Sequence, residues 1–323
     1  MNDFENKTIL VTGGSGSFGR IFSEILLEEY KPKSIRIYSR GELLQVQMEQ
    51  EFNHERLRFF IGDVRDEKRL NRAMSGADIV VHAAALKHVP ACEYNPLEAV
   101  KTNIEGTANV INSAIDNEVE KVMLISTDKA VHPVNLYGAT KMVAEKLTIQ
   151  GNSYTGGKNT RFSCVRYGNV IGSRGSVIPV FKEQMKSGVI TITDERMSRF
   201  WITLDQGVRF VIRCIEQMEG GEIFVPKIPS MKLTDLADAI APHIKKQHVG
   251  IRPGEKLHEV LLTEDEARHT KEYDTHFMIE PELKFWEKTD RNGGRELPEG
   301  FRYASDTNTV WLSIDDLKKM ITI

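Results

Sequence analysis

Tyr137 and Lys141 are four residues apart, so a helix would stack them on one face. Just upstream, Thr127, Asp128 and Lys129 follow the apolar run Val122-Met123-Leu124-Ile125, which is short and bounded in the way of a buried parallel strand. An ammonium close to a phenol favours the phenolate, which lets Tyr137 take a proton from a hydroxyl while the carbon beneath loses hydride. Thr127 would orient that hydroxyl. Asp128 and Lys129 carry the chemistry further. Once a hydroxyl has become a ketone, the neighbouring C–H is acidic enough for a side-chain base, and a departing hydroxyl needs an acid. Lys129 as the base requires a lowered pKa, which burial and Lys141 would supply; Asp128 as the acid requires the opposite shift in an enclosed apolar site. The competing reading is an ordinary ion pair between sequence neighbours.

Pro133 and Asn135 break the chain before Tyr137, and Asn135 is expected to cap the helix. Near the N-terminus, the strand-like Thr8-Ile9-Leu10-Val11 runs into Thr12-Gly13-Gly14-Ser15-Gly16-Ser17-Phe18-Gly19 and a helical pattern. Glycines at 13, 16 and 19 suit a tight turn, close approach of a diphosphate and helix-on-strand packing. Gly13, Ser15, Gly16, Ser17, Phe18 and Gly19 are therefore candidate dinucleotide contacts. A second strand, Ser34 to Tyr38, ends in Ser39 and Arg40, a pair suited to a 2′-phosphate, so NADP is favoured over NAD. A third, Arg58 to Ile61, leads to Asp63 and Val64; Asp63 could accept a bond from an adenine amino group or cap the helix near Glu67. A fourth, from Ile79, closes on Ala83, Ala84 and Ala85, small enough for a flat cofactor, with Lys87 just beyond; His82 reads as a packed core histidine. The positive charge of an oxidised nicotinamide would help depress Lys129.

A helical stretch from Pro96 to Asn117 completes five strand-helix alternations, predicting an α/β, doubly wound, mainly parallel Rossmann sheet over residues 1–170. Residues 171–323 are expected to form mainly a smaller, discontinuous substrate-binding lobe with segments crossing back to the sheet. There Arg174, Arg199 and Arg252 are candidates to grip a diphosphate, against the alternative of surface salt bridges with Glu255 or Asp194. Lys284 to Gly300 reads as a charged loop, and Ser313 as the cap of a final helix.

With 323 residues, 40% of them hydrophobic, the chain can bury a large core, and its net charge of −3 gives no reason to expect nucleic acid or an anionic membrane as partner. No apolar run approaches the roughly 18 residues a membrane helix needs, and no signal layout opens the chain, so the expectation is a cytoplasmic protein. Cys92, Cys164 and Cys214 are widely spaced, predicting reduced thiols and no metal site.

In these residues the chain resembles the extended short-chain dehydrogenase/reductases, and within them the inverting UDP-N-acetylglucosamine 4,6-dehydratases. The resemblance runs from Lys7 to about Leu317 and rests on Thr12 to Gly19, Ile61 to Asp66, His82 to Pro90, Thr127 to Ala130, Arg166 to Val170, Ser173 to Val177, Met197 to Phe200 and Arg252 to Glu259. It implies a cycle in which Tyr137 deprotonates the 4-hydroxyl as NADP takes hydride, Lys129 removes the carbon 5 proton, Asp128 protonates the leaving 6-hydroxyl, and hydride returns to carbon 6. Where retaining relatives carry Glu, this chain carries Lys129, which marks inversion at carbon 5. The implied product is UDP-2-acetamido-2,6-dideoxy-β-L-arabino-hex-4-ulose, of the pseudaminic acid type of pathway. Further site residues on this basis are Tyr167 and Asn169 toward the cofactor, and Lys87, Asn169, Ser173, Arg174, Val177, Arg199, Arg252 and Glu255 toward UDP-N-acetylglucosamine. A dimer-based homo-oligomer, up to a hexamer, is also implied. After the second strand the family commonly shows Ser-Arg-Asp-Glu and another cation; here Gly41 and Leu44 stand in that region, leaving Arg40 to carry the preference for NADP. The alternatives are a UDP-sugar 4-epimerase, which has no use for Asp128 or Lys129, and a dinucleotide-binding sensor without turnover.

Overall fold

The computed structural model describes residues 3–172, 177–281 and 293–322. Six strands alternate with helices through the first half: β1 (Thr8–Thr12), β2 (Ser34–Ser39), β3 (Leu57–Ile61), β4 (Ile79–His82), β5 (Lys121–Thr127) and β6 (Arg161–Tyr167). They pair in parallel in the order β3-β2-β1-β4-β5-β6, the doubly wound sheet expected. Short runs such as TILVT and IVVH are buried along their whole length, because helices cover both faces of a parallel sheet. The order reverses between β1 and β4, so their carboxyl ends open a crevice there.

The second half returns to this sheet. The strand Ile223–Pro226 adds in parallel to β6, and His276–Ile279, Thr270–Glu272 and Arg295–Glu296 extend that edge antiparallel. Arg295–Glu296 falls in the stretch expected to be a loop; residues 284–292 of that stretch lie outside the described residues. The helix Leu204–Gln217 packs on the large sheet, and part of the rest of the second half forms a separate layer. A three-stranded sheet orders Ser230–Lys232, Ser198–Thr203 and Asn169–Ile171. Its core of Ile178, Phe181, Ile190, Trp201, Met231 and Leu317 is distinct from the clusters around the large sheet.

Local capping follows the sequence with one correction. Asn135 caps the helix Leu136–Gly151, accepting from Gly138 N–H at 2.8 Å. Asp66, not Asp63, caps the helix Glu67–Met74, accepting from Arg69 N–H at 3.0 Å. Asp63 is drawn elsewhere because its carboxylate takes the Arg65 backbone N–H and guanidinium. The stretch from Pro96 to Asp116 is helical throughout but carries a π-turn at Lys101–Glu105, a feature frequent at functional sites.

Candidate active site

The loop after β1 is built for close backbone approach. Gly13 sits at φ +67°, and a Cβ there would lie 3.0 Å from the Ala84 backbone, so only glycine lets the two loops meet. Gly19 lies beneath, against Gly14. The Ser15 and Ser39 hydroxyls pair at 2.8 Å, and Gln45 fixes the end of β2 by donating to the Ser39 carbonyl and the Phe60 carbonyl, both at 3.0 Å. Arg40 stands 3.7 Å from Asp63. Arg65 pulls the Asp63 carboxyl below its usual range although burial opposes this.

Buried polar bonds shape the neighbouring wall. Thr107 gives its proton to Asn103 O at 2.7 Å, so at its bond to His82 it accepts from Nε2–H. The His82 Nδ1 then accepts from Thr12 O–H, and Thr12 in turn accepts from Ala84 N–H. Burial, with Lys141, pushes His82 down to about 3, so it stays neutral. His82 is thus the core histidine expected. Asn103, on the π-turn, accepts from Leu86 N–H and donates to Leu86 O and Thr140 Oγ1, tying the loop after β4 to the Tyr137 helix.

β5 delivers the reactive group. Its end turns through Asp128–Ala130, where Thr127 Oγ1 accepts from Lys129 N–H at 3.4 Å. A Cβ on Gly138 would overlap the Lys129 carbonyl, so glycine there brings the next helix against this turn. A cleft of about 850 Å³ results, lined by Gly13, Ser15, Gly16, Ser17, Phe18, Ser39, Arg40, Asp63, Val64, Ala83, Ala84, Ala85 and Lys87 on one side, and by Thr127, Lys129, Tyr137, Lys141, Tyr167, Asn169 and Val177 on the other. Asp128 is fully buried behind this wall; Thr127, which lines the cleft, donates to its Oδ1 at 3.0 Å. Leu44, noted beside Arg40, lines it as well, as do Trp201, Leu204 and Thr102, which no spacing in the sequence marked.

The charges differ from expectation in two respects. Lys141 Nζ donates to Ile125 O at 2.7 Å and burial lowers it to about 8. Burial raises Tyr137 to about 12, and what opposes that rise is Lys129 and a hydrogen bond with Thr127. Lys129 is therefore the cation that bears most on the phenol, beside the Lys141 expected. Second, Lys129 is shifted up. Burial alone would depress it, but Asp128 at 2.9 Å and Glu259 at 3.4 Å outweigh burial and the opposing Arg199. Glu259 lies far along the chain, and sequence spacing gave no sign of it.

Of the substrate candidates, Arg199, Arg252 and Glu255 are not on the cleft lining. The Arg199 guanidinium is turned inward, donating to the Ser198, Lys256 and Leu257 carbonyls. Arg252 is exposed and 3.9 Å from Glu255, the salt-bridge alternative. Ser173 and Arg174 lie outside the described residues. Among the described residues there is no cluster suited to a metal, and no helix is long and apolar enough to cross a membrane. All three cysteines are free and buried.

Residues 9–281 match the family described as polysaccharide biosynthesis protein. A Campylobacter jejuni protein named UDP-N-acetylglucosamine 4,6-dehydratase (inverting) is 51% identical, covering 98% of each chain. The chain belongs to this family. The likeness to inverting dehydratases, first carried by the motifs, is borne out at full length. The crystal structure of Pen from Bacillus thuringiensis superposes with a TM-score of 0.91 at 41% identity, covering 99% of this chain and 98% of that one. A more distant family member is the Rickettsia conorii protein named UDP-glucose 4-epimerase, 38% identical over 98% of this chain and 96% of that one.

Proposed function

We propose that the chain is an inverting UDP-N-acetylglucosamine 4,6-dehydratase, and the observation carrying this reading is the Asp128–Lys129 pair set at 2.9 Å beside Tyr137 and the cleft. The residues fit a bound nicotinamide dinucleotide. The side-chain-free loop at Gly13 and Gly16 opens at a helix N-terminus, which suits a diphosphate, and Ala83 to Ala85 leave a shallow wall. Ser39 and Arg40 favour the 2′-phosphate of NADP. When bound, that cofactor supplies a reversible hydride acceptor for the sugar.

The chain's own residues supply the protons. Tyr137 takes the 4-hydroxyl proton with Thr127 orienting that hydroxyl, and Lys141 holds its place on Ile125 O beneath. Lys129 removes the carbon 5 proton, and Asp128 provides the proton for the departing 6-hydroxyl. Reprotonation of carbon 5 on the opposite face gives UDP-2-acetamido-2,6-dideoxy-β-L-arabino-hex-4-ulose, a precursor of pseudaminic-acid-type surface sugars. Lys87, Asn169 and Val177, all on the cleft wall, are the residues proposed to meet the nucleotide sugar. We place the enzyme in the cytoplasm as a homo-oligomer.

Incubating the protein with NADP and UDP-N-acetylglucosamine in heavy water tests the reading by NMR. A 4-keto-6-deoxy product with deuterium at carbon 5 is expected. Recovery of a 4-epimer alone would make it an epimerase, and no conversion at all a binding protein.

A further inference from the structure

We propose that Glu259 is a positioning residue for the elimination step, holding the Lys129 amine against Asp128 so that one proton is shared between the two. This rests on the dehydratase reading above. Glu259 is 2% exposed, and its backbone is fixed on both sides: its N–H donates to Ser305 Oγ at 2.9 Å and its carbonyl accepts from Ser305 N–H at 2.8 Å. The segment before it is tied to the catalytic helix by Asn135, which donates to Gly254 O at 2.8 Å, and to the strand Ser198–Thr203 by Arg199, which donates to Lys256 O at 3.0 Å. Two distant parts of the chain thus aim one carboxylate at the base.

What that carboxylate meets is unlike a structural ion pair. Glu259 Oε1 is 3.4 Å from Lys129 Nζ and 3.8 Å from Arg199 Nε, while Oε2 is 3.7 Å from Lys256 Nζ. Oε2 has no hydrogen bond, nor does Asp128 Oδ2. Unsatisfied buried carboxylate oxygens are costly and rare where they serve only the fold.

The arrangement solves a proton problem. In the resting ion pair Lys129 is an ammonium and Asp128 a carboxylate, the wrong forms for removing one proton and donating another. Moving one proton breaks an N–H bond on Lys129 and forms an O–H bond on Asp128, giving an amine base and a carboxylic acid with nothing taken from solvent. The transfer runs along the 2.9 Å hydrogen bond from Lys129 Nζ to Asp128 Oδ1. Glu259, its charge still faced by Arg199 and Lys256, keeps the amine in place through that transfer.

Lys129 is faced by Asp128, Glu259, Arg199, Tyr137, Lys87 and Lys256. Of these, the two carboxylates favour keeping the shared proton and the cations favour losing it. Activity should fall at high pH as that proton is lost, and removing the Glu259 charge should move this alkaline limb to lower pH.

The test compares Glu259→Gln and Glu259→Asp with the wild type, each as the full chain loaded with NADP and given UDP-N-acetylglucosamine in heavy water. Two steps are read separately: appearance of reduced nicotinamide for oxidation, and carbon 5 deuterium in product for elimination. For Glu259→Gln we expect oxidation to persist, reduced cofactor to accumulate, product formation to fall about 100-fold as a misplaced group does, KM to change little, and the alkaline limb to shift down. Glu259→Asp should return the limb toward its wild-type position while elimination stays slowed, and it carries the test if the glutamine variant fails to fold. Unchanged product formation and pH profile would overturn the proposal, as would oxidation and elimination falling together. A wild type that yields only the 4-epimer removes the dehydratase reading and this proposal with it, whereas a defect confined to the variants' oxidation step counts against Glu259 alone.

Discussion

Two clusters of buried charge in this chain are built on opposite terms. Around Arg166, every contact is close: the guanidinium donates to Glu145 at 2.7 and 3.1 Å, to Glu266 at 3.0 and 3.1 Å and to Leu261 O at 3.0 Å. Ser126 adds a hydroxyl to Glu145. Around Lys129, the only hydrogen-bonded ion pair is with Asp128, the approaches of Lys129, Arg199 and Lys256 to Glu259 lie between 3.4 and 3.8 Å, and Asp128 Oδ2 and Glu259 Oε2 have no hydrogen bond. The first cluster locks β6 to the helix Leu136–Gly151 and to the Glu266 turn. The second reaches the cleft through Lys129. The saturated cluster joins elements of the fold, and the unsaturated one borders the cleft through Lys129.

The largest effect should come from the loose cluster. Lys129→Ala is expected to slow dehydration by roughly 10²- to 10⁴-fold, the scale of a lost general base, while nicotinamide reduction by the sugar nucleotide falls less, through the loss of a cation near Tyr137. Equal loss of both steps would erase the distinction between the clusters.

The tight cluster should answer in stability. Arg166→Met leaves Glu145 and Glu266 without their cation, and breaking a buried pair from one side costs about 3–5 kcal/mol. Urea titration should show this as a lower midpoint. A variant as stable as the wild type would mean that the network is not structural.

A smaller effect falls between the two. Lys141 is buried, and its pKa is lowered to about 8 from an ordinary 10.5 chiefly by burial. Between these values the unfolded chain binds more protons than the folded one, so stability rises with pH through that window, and the cost of holding the ammonium is greatest below about 8. Lys141→Met should therefore stabilise the cofactor-free protein at neutral pH by about 1 kcal/mol, with its lost bond to Ile125 O offsetting part of the gain. The same variant should lose turnover. Thermal melts at neutral pH and near pH 10 check it, and the stabilisation should shrink at the higher pH.

How much was legible depended on how local each signal is. Gly13, Gly16 and Gly19 announce a loop because glycine at that spacing is demanded by backbone geometry within a few residues. Asn135 announces a cap for the same reason. The Asp63 cap was misplaced by three residues because two acids near one helix start, Asp63 and Asp66, satisfy the same local rule, and only the position of Arg65 separates them. Arg199 was read as a candidate to grip a diphosphate, and nothing nearby in sequence could show that its guanidinium turns onto Lys256 O and Leu257 O.

The sequence by itself determined the order of strands and helices, the glycine loop and the Thr127-Asp128-Lys129 and Tyr137/Lys141 pieces, since these depend on period and spacing along a few turns of chain. Only the tertiary structure decided their charge states. A pKa answers to burial and to every charge within several ångströms; the burial of Lys129 and the charges of Glu259 and Arg199 come from segments that the fold alone brings together.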